Sequence, residues 1–164
     1  MKQSGFTLIE LFVTLLVIGV LASIAVPAMA EMVTAQRRFD VAQQLASGIR
    51  TARHEAVVRN QLVVIRAIDG QWSKGWQIVV DPKGTDDDLI LVDRARSGKV
   101  PVVGNGQITQ SISFSGLGAA VGNGFVAGTL SICDADKPVS HHQVKLASAG
   151  RVRIESKTLP EERC

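Results

Sequence analysis

Two groups of residues in this chain carry ionic chemistry, one near each end. Near the amino terminus Glu10 stands inside an apolar run, five residues after Gly5. A carboxylate within a membrane-length helix costs roughly 2.5–3.5 kcal/mol on insertion scales, so it needs a partner. Toward the carboxyl terminus the chain reads Gln143-Val144-Lys145-Leu146-Ala147, then Ser148-Ala149-Gly150, then Arg151-Val152-Arg153-Ile154-Glu155. A three-residue loop ending in glycine closes a β-hairpin. Pairing Ala147 with Arg151 sets Lys145 opposite Arg153. Alternation then assigns Val144, Leu146, Val152 and Ile154 to the buried face and Lys145, Arg151 and Arg153 to the exposed one. Like charges opposed across a sheet are unfavourable, which points to an anion site. Lys157 extends the cationic stripe and Glu155 partly offsets it. The chain has no tyrosine and both tryptophans lie far away in sequence, so no stacking platform for bases accompanies the cations. The competing reading is an ordinary solvated strand face.

These groups must be held by quite different elements. Residues 6–25 form a twenty-residue apolar run, about 30 Å as a helix and so the thickness of a hydrocarbon core. A cleaved secretory signal is the alternative, with Ala22, Ala25, Ala28 and Ala30 imitating a cleavage site near Ala30. The acidic Glu10 argues against it. Lys2, the one charge before the run, favours a cytoplasmic amino terminus. The remainder then lies outside, in the periplasm of a Gram-negative source. Past Pro27, which bends a long helix more readily than it ends one, residues 31–60 keep helical character. Val41, Ala42, Leu45, Ile49, Ala52 and Ala56 recur at helical spacing, with Arg37, Arg38, Arg50, Arg53 and Arg59 on other faces. A helix over 6–60 would be about 80 Å long.

From residue 61 the pattern changes to short runs separated by turn residues. Strands are expected at 62–66, 76–80, 89–92, 112–114, 129–133, 143–147 and 151–155. Pro82-Lys83-Gly84, Gly104-Asn105-Gly106 and a glycine-rich patch over 116–128 separate several of them. A helix followed by strands places the chain in the α+β class, with the helix packed on an antiparallel β domain. Its 164 residues and formal charge of +3 suit one modest domain beyond an anchor. Cys133 and Cys164 fit an oxidising compartment and one disulfide, whose loop would contribute roughly 3–4 kcal/mol in the chain-entropy model.

Other polar groups read as surface or core. Asp86-Asp87-Asp88 lacks the spaced oxygens of a calcium loop and reads as an exposed acidic turn. His141 and His142 point to opposite faces of a strand, against joint metal ligation. Trp72 and Trp76 read as packing residues. The helix arginines are expected to be solvated or paired with Glu55 and Asp40. No nucleophile–base pair, phosphate loop or paired-carboxylate site stands out, so neither catalysis nor a metal or other cofactor is expected.

The segment Gly5-Phe6-Thr7-Leu8-Ile9-Glu10, with the apolar run and long helix behind it, resembles the prepilin motif of type IV pilins and type II secretion pseudopilins. The rest resembles the FimT/GspH branch of minor pilins and pseudopilins. The matching pieces are Arg53-His54-Glu55-Ala56-Val57-Val58-Arg59-Asn60, Trp72 with Gly75-Trp76, Gly128-Thr129-Leu130-Ser131-Ile132-Cys133 and Gly150-Arg151-Val152-Arg153. The resemblance covers almost the full chain and is weakest over 97–124. It implies a prepilin leader over 1–5, a transmembrane helical half over 6–30, an amphipathic half over 31–60 and a periplasmic β domain over 61–164. It further implies cleavage between Gly5 and Phe6 by a prepilin peptidase and methylation of the Phe6 amine. Glu10 would face that amine on a neighbouring pilin subunit in the inner membrane and later in the pilus. A snorkelling Glu10 is the plainer alternative. Gly150-Arg151-Val152-Arg153 resembles the GRxR segment with which FimT-type pilins bind DNA in natural transformation, and Lys145 and Lys157 would add to it. The second function the resemblance allows is an H-type minor pseudopilin of type II secretion. A membrane-anchored β protein with no pilus role is the third.

Overall fold

The computed structural model describes residues 7–80, 88–124, 126–161 and 164. Gly5, Phe6, Pro82, Lys83, Gly84, Asp86 and Asp87 lie outside them. The chain divides into two compact units, Met1–Arg37 and Arg38–Cys164. One helix, α1 (Leu8–Arg59), supplies the described structure of the first unit and enters the second. It runs through Pro27 without ending, as expected.

In the first unit every described side chain from Thr7 to Arg37 is exposed. The helix there is long and apolar enough to cross a membrane. Its start is capped locally: the Glu10 amide donates to Thr7 Oγ1 at 3.3 Å, and the Glu10 carboxylate lies 3.5 Å from the same hydroxyl. Thr-x-x-Glu at a helix start is a capping box, so Glu10 also stands where the helix dipole favours negative charge.

In the second unit α1 buries Val41, Ala42, Leu45, Ala46, Ile49, Ala52 and Ala56. The small residues of this stripe let the sheets approach closely. At Gly48 an added Cβ would stand 2.6 Å from the Trp76 indole nitrogen. The helix ends with Asn60 at φ 51°, while the Gln61 amide donates to Ala56 and the Asn60 amide to Val57, a Schellman closure.

Among the described residues nine strands follow: β1 (Val63–Ala67), β2 (Gly75–Val80), β3 (Leu89–Ala95), β4 (Val102–Gly104), β5 (Ser111–Phe114), β6 (Ala120–Val121), β7 (Gly128–Cys133), β8 (Val139–Leu146) and β9 (Val152–Pro160). They form two antiparallel sheets, β3-β2-β1-β5-β6 and β4-β7-β8-β9. The expected α+β architecture is therefore present, with its strands divided between two sheets. Every expected strand appears with shifted ends. The short β4 and β6 were not foreseen, being too brief to show a period of two. Trp72 and Trp76 are buried as expected, and the Trp72 indole donates to the Ile108 carbonyl. Cys133 and Cys164 are bridged, with Cα atoms 5.6 Å apart.

Two expected surface groups turn out to be buried. Arg38, expected on a solvated face, lies one turn before Val41 and Ala42 and is only 9% exposed. Its Nη1 pairs with Asp134 at 3.0 Å, because the apolar stripe begins at a point where a carboxylate from beyond β7 can meet it. Asp88, expected in an exposed acidic turn, has a side chain 3% exposed and pairs with Arg66 at 3.2 Å. Of the other helix arginines, Arg59 pairs with Glu55 as expected.

The Asp134 carboxyl is held below the usual carboxylate range, chiefly by the Asp136 amide and then by His141 and Arg38, against the effect of burial. A lowered folded-state value stabilises above the unfolded value near 3.8 and is lost as pH falls through the folded one. Asp134→Asn should therefore lower stability at neutral pH by about 1–3 kcal/mol, leaving Arg38 without its counter-charge. Urea titrations at pH 7 and pH 3 check this, with the difference from wild type shrinking at the lower pH.

Candidate nucleic-acid interface

The hairpin between β8 and β9 forms as the residue pattern requires. Lys145 is registered with Arg153, Val144 with Ile154 and Leu146 with Val152. Ala147 donates to the Arg151 carbonyl and Gly150 to the Ala147 carbonyl, closing the three-residue loop. Gly150 has φ +76°, and a Cβ there would stand 2.2 Å from the Gly118 carbonyl oxygen. Only glycine meets both conditions. The loop is fixed from outside as well: Ala120 donates to the Ser148 carbonyl, and Arg53 Nε donates to the Gly118 carbonyl at 2.8 Å.

Val144 and Leu146 are fully buried and Val152 and Ile154 half-buried, while Arg151 and Arg153 are exposed and Lys145 is half-buried. The three cations line a concavity of about 400 Å³ whose other walls include Asn105, Gly128 and Thr129. Asn105 Oδ1 accepts from the Thr129 amide, fixing the loop after β4 against β7. Gly128 is required by packing, since a Cβ would stand 2.6 Å from Ile108.

Glu155 plays a larger part than its expected partial offset. Its carboxylate bridges Lys145 at 2.6 Å and Arg153 at 3.1 Å. Its pKa is lowered, first by the hydrogen bond from Lys145 and then by the charges of Lys145, Arg153 and Lys157. The carboxylate therefore stays ionised at neutral pH. Among the described residues no carboxylate pairs with Arg151, so it is the cation most available to an incoming anion. Lys157 is exposed, and its carbonyl accepts from the buried Gln143 amide. The register of β9 against β8 slips between Ser140 and His142 of β8, which the simple alternation did not foresee.

The paired histidines do separate. His141 Nε2 lies 3.2 Å from Asp134 and His142 Nδ1 lies 3.0 Å from Ser156 Oγ. Burial, more than the neighbouring His141 and Arg38, lowers the His142 pKa. Among the described residues no group of three metal-binding side chains occurs.

A long amino-terminal helix joined to antiparallel sheets is the pilin-like class of fold. The crystal structure of the type IV minor pilin FimU of Pseudomonas aeruginosa superposes with a TM-score of 0.64 at 22% identity, over 79% of this chain and 97% of that one. The family described as "Type II transport protein GspH" matches residues 41–150, and the "Prokaryotic N-terminal methylation motif" matches residues 1–26. The chain belongs to the GspH family. A "Fimbrial protein" of Pseudomonas aeruginosa is 32% identical over 103 residues, 62% of this chain and 66% of that protein's length. A "Type IV major alpha-pilin" of Moraxella bovis is 38% identical over 63 residues, 38% of this chain and 39% of that protein.

The hairpin geometry predicts a sharp glycine requirement. Gly150→Ala should destabilise by about 1–3 kcal/mol, through left-handed strain and collision with the Gly118 carbonyl. Ala149→Gly, at the exposed neighbouring position, should change stability far less. Thermal melts of the two variants make the comparison.

Proposed function

We propose that this chain is a minor pilin, cut between Gly5 and Phe6, that joins a pilus through its apolar helix and binds DNA through the β8–β9 hairpin. The observation that carries the DNA reading is the concavity where Lys145, Arg151 and Arg153 converge on the outer face of β8 and β9. Such a site reads phosphates and not bases, so binding releases counterions and is independent of sequence. Lys157 adds positive potential nearby. For assembly, Glu10 pairs with the Phe6 amine of a neighbouring subunit. Opposite charges about 4 Å apart at an effective dielectric near 20 gain roughly 4 kcal/mol, comparable to the insertion cost of the carboxylate. Prepilin peptidase, other pilins and the inner membrane are the partners this requires, with the β domain in the periplasm before assembly.

A second reading, a pseudopilin of type II transport, draws support from the family description itself. It needs the same amino-terminal processing but no DNA site.

Mass spectrometry of the membrane-extracted protein should find Phe6 as the amino-terminal residue, carrying one additional methyl group. A fluorescence titration of the full chain in detergent with a labelled DNA duplex separates the two readings. Affinity should fall steeply with salt, with a logarithmic slope of about 0.9 per phosphate engaged. Arg151→Ala with Arg153→Ala should abolish binding. Glu155→Gln should strengthen it about threefold or more, by releasing Lys145 and Arg153 from their resident carboxylate. A folded wild-type protein that ignores DNA at low salt would favour the transport reading.

A further inference from the structure

We propose that the phosphate track does not stop at the outer face of the sheet but continues over the free edge of β9 onto α1, with Arg50 as its next phosphate contact. This rests on the DNA reading of the hairpin and extends it to a helix face whose arginines were expected only to be solvated or paired.

β9 is the terminal strand of its sheet, so among the described residues one of its edges has no neighbouring strand. The Arg151 carbonyl turns inward and accepts from Ala147. The next carbonyl, that of Val152, accepts from Arg50 Nη2 at 3.4 Å. Arg50 thus reaches the backbone of β9 between the two residues that present their side chains to the concavity. Its bond to Val152 is long and single, and a guanidinium has five N–H donors, so most of Arg50's capacity stays open to an anion.

The rest of the helix face agrees. Arg50, Arg53, His54 and Val57 follow the three–four spacing of one helical face and line a shallow groove of about 230 Å³. Arg53 is fixed in place by the Gly118 carbonyl, and an added Cβ on Gly150 would stand 2.7 Å from its Nε. The groove therefore adjoins the hairpin loop that carries Arg151. Glu55, the nearest acid in sequence, is taken by Arg59 at 2.8 Å. Cations thus stand on the outer face of β9, at its edge and on the adjoining helix. A small anion would be satisfied by the concavity alone. Cations spread round a strand edge match a polymer with regularly repeated phosphates, and a nucleic-acid backbone has that chemistry.

The test uses the full chain in detergent, a fluorescein-labelled DNA duplex of mixed sequence and a range of salt. Arg50→Gln should weaken binding several-fold and reduce the salt slope by about 0.9, the loss of one phosphate contact. Arg50→Lys, which keeps the charge, should restore most of both. His54→Glu leaves the Arg50–Val152 bond in place and should weaken binding by repulsion. It keeps the proposal testable if Arg50→Gln fails to fold, which thermal melts report. If these variants keep wild-type affinity and slope while the Arg151→Ala, Arg153→Ala variant loses binding, the track ends at the sheet. The extension is then wrong and the hairpin reading stands. If Arg50→Gln keeps DNA binding but no longer enters fibres, the helix face belongs to a neighbouring subunit and the proposal falls. If wild-type protein itself ignores DNA at low salt, the hairpin reading fails first and takes the extension with it.

Discussion

The β domain depends on how closely a helix and two sheets can approach. That distance is set by the small residues Ala42, Ala46, Gly48, Ala52 and Ala56 along one stripe of α1. Gly48 is the tightest point, because the indole of Trp76 occupies the space a side chain would need. Trp76 lies on β2, the strand that joins β1 to β3. Close packing of this kind tolerates little change in volume. The same helix then reaches the hairpin through Arg53, Gly118 and Gly150, so the position of Arg151 follows from the position of α1.

Charge in this unit divides into two kinds. Arg38–Asp134 is shielded on both sides, and in Arg66–Asp88 the carboxylate is buried while the arginine stays partly exposed. Both pairs hold elements together: the start of the packed helix to the segment after β7, and β1 to the chain before β3. Lys145, Arg153 and Glu155 form a wetter cluster in which a single carboxylate serves two cations. Exposed pairs contribute little to stability. Their arrangement on the outer face is better understood through what they leave available to a ligand than through folding.

Much of this was legible in the residues. The hairpin register followed from a loop ending in Gly150 and from strict alternation on either side, two local rules that agree. The α+β class and the helical stripe followed from periodicity, and the buried tryptophans from residue type. What stayed hidden was long-range. Arg38 and Asp134 are far apart in sequence, and an arginine at the end of an apolar stripe looks solvated until its partner is placed. Asp88 looked like the tail of an acidic run, and only the pairing of β2 with both β1 and β3 brings Arg66 near it. Glu155 was visible as a neighbouring charge, but its bridging of two strands depends on side-chain reach. The contact of Arg50 with Val152 spans the whole domain and has no local signal.

The disulfide has a consequence beyond folding stability. Cys133 ends β7 and Cys164 is bonded back to it, so β8, the loop and β9 all lie inside one covalently closed loop. Tension applied between the helix and the carboxyl terminus crosses from Cys133 directly to Cys164. The hairpin bearing Arg151 and Arg153 lies off that load path. Stretching the main chain therefore loads β7 and the disulfide and does not run along the strands that present the cations.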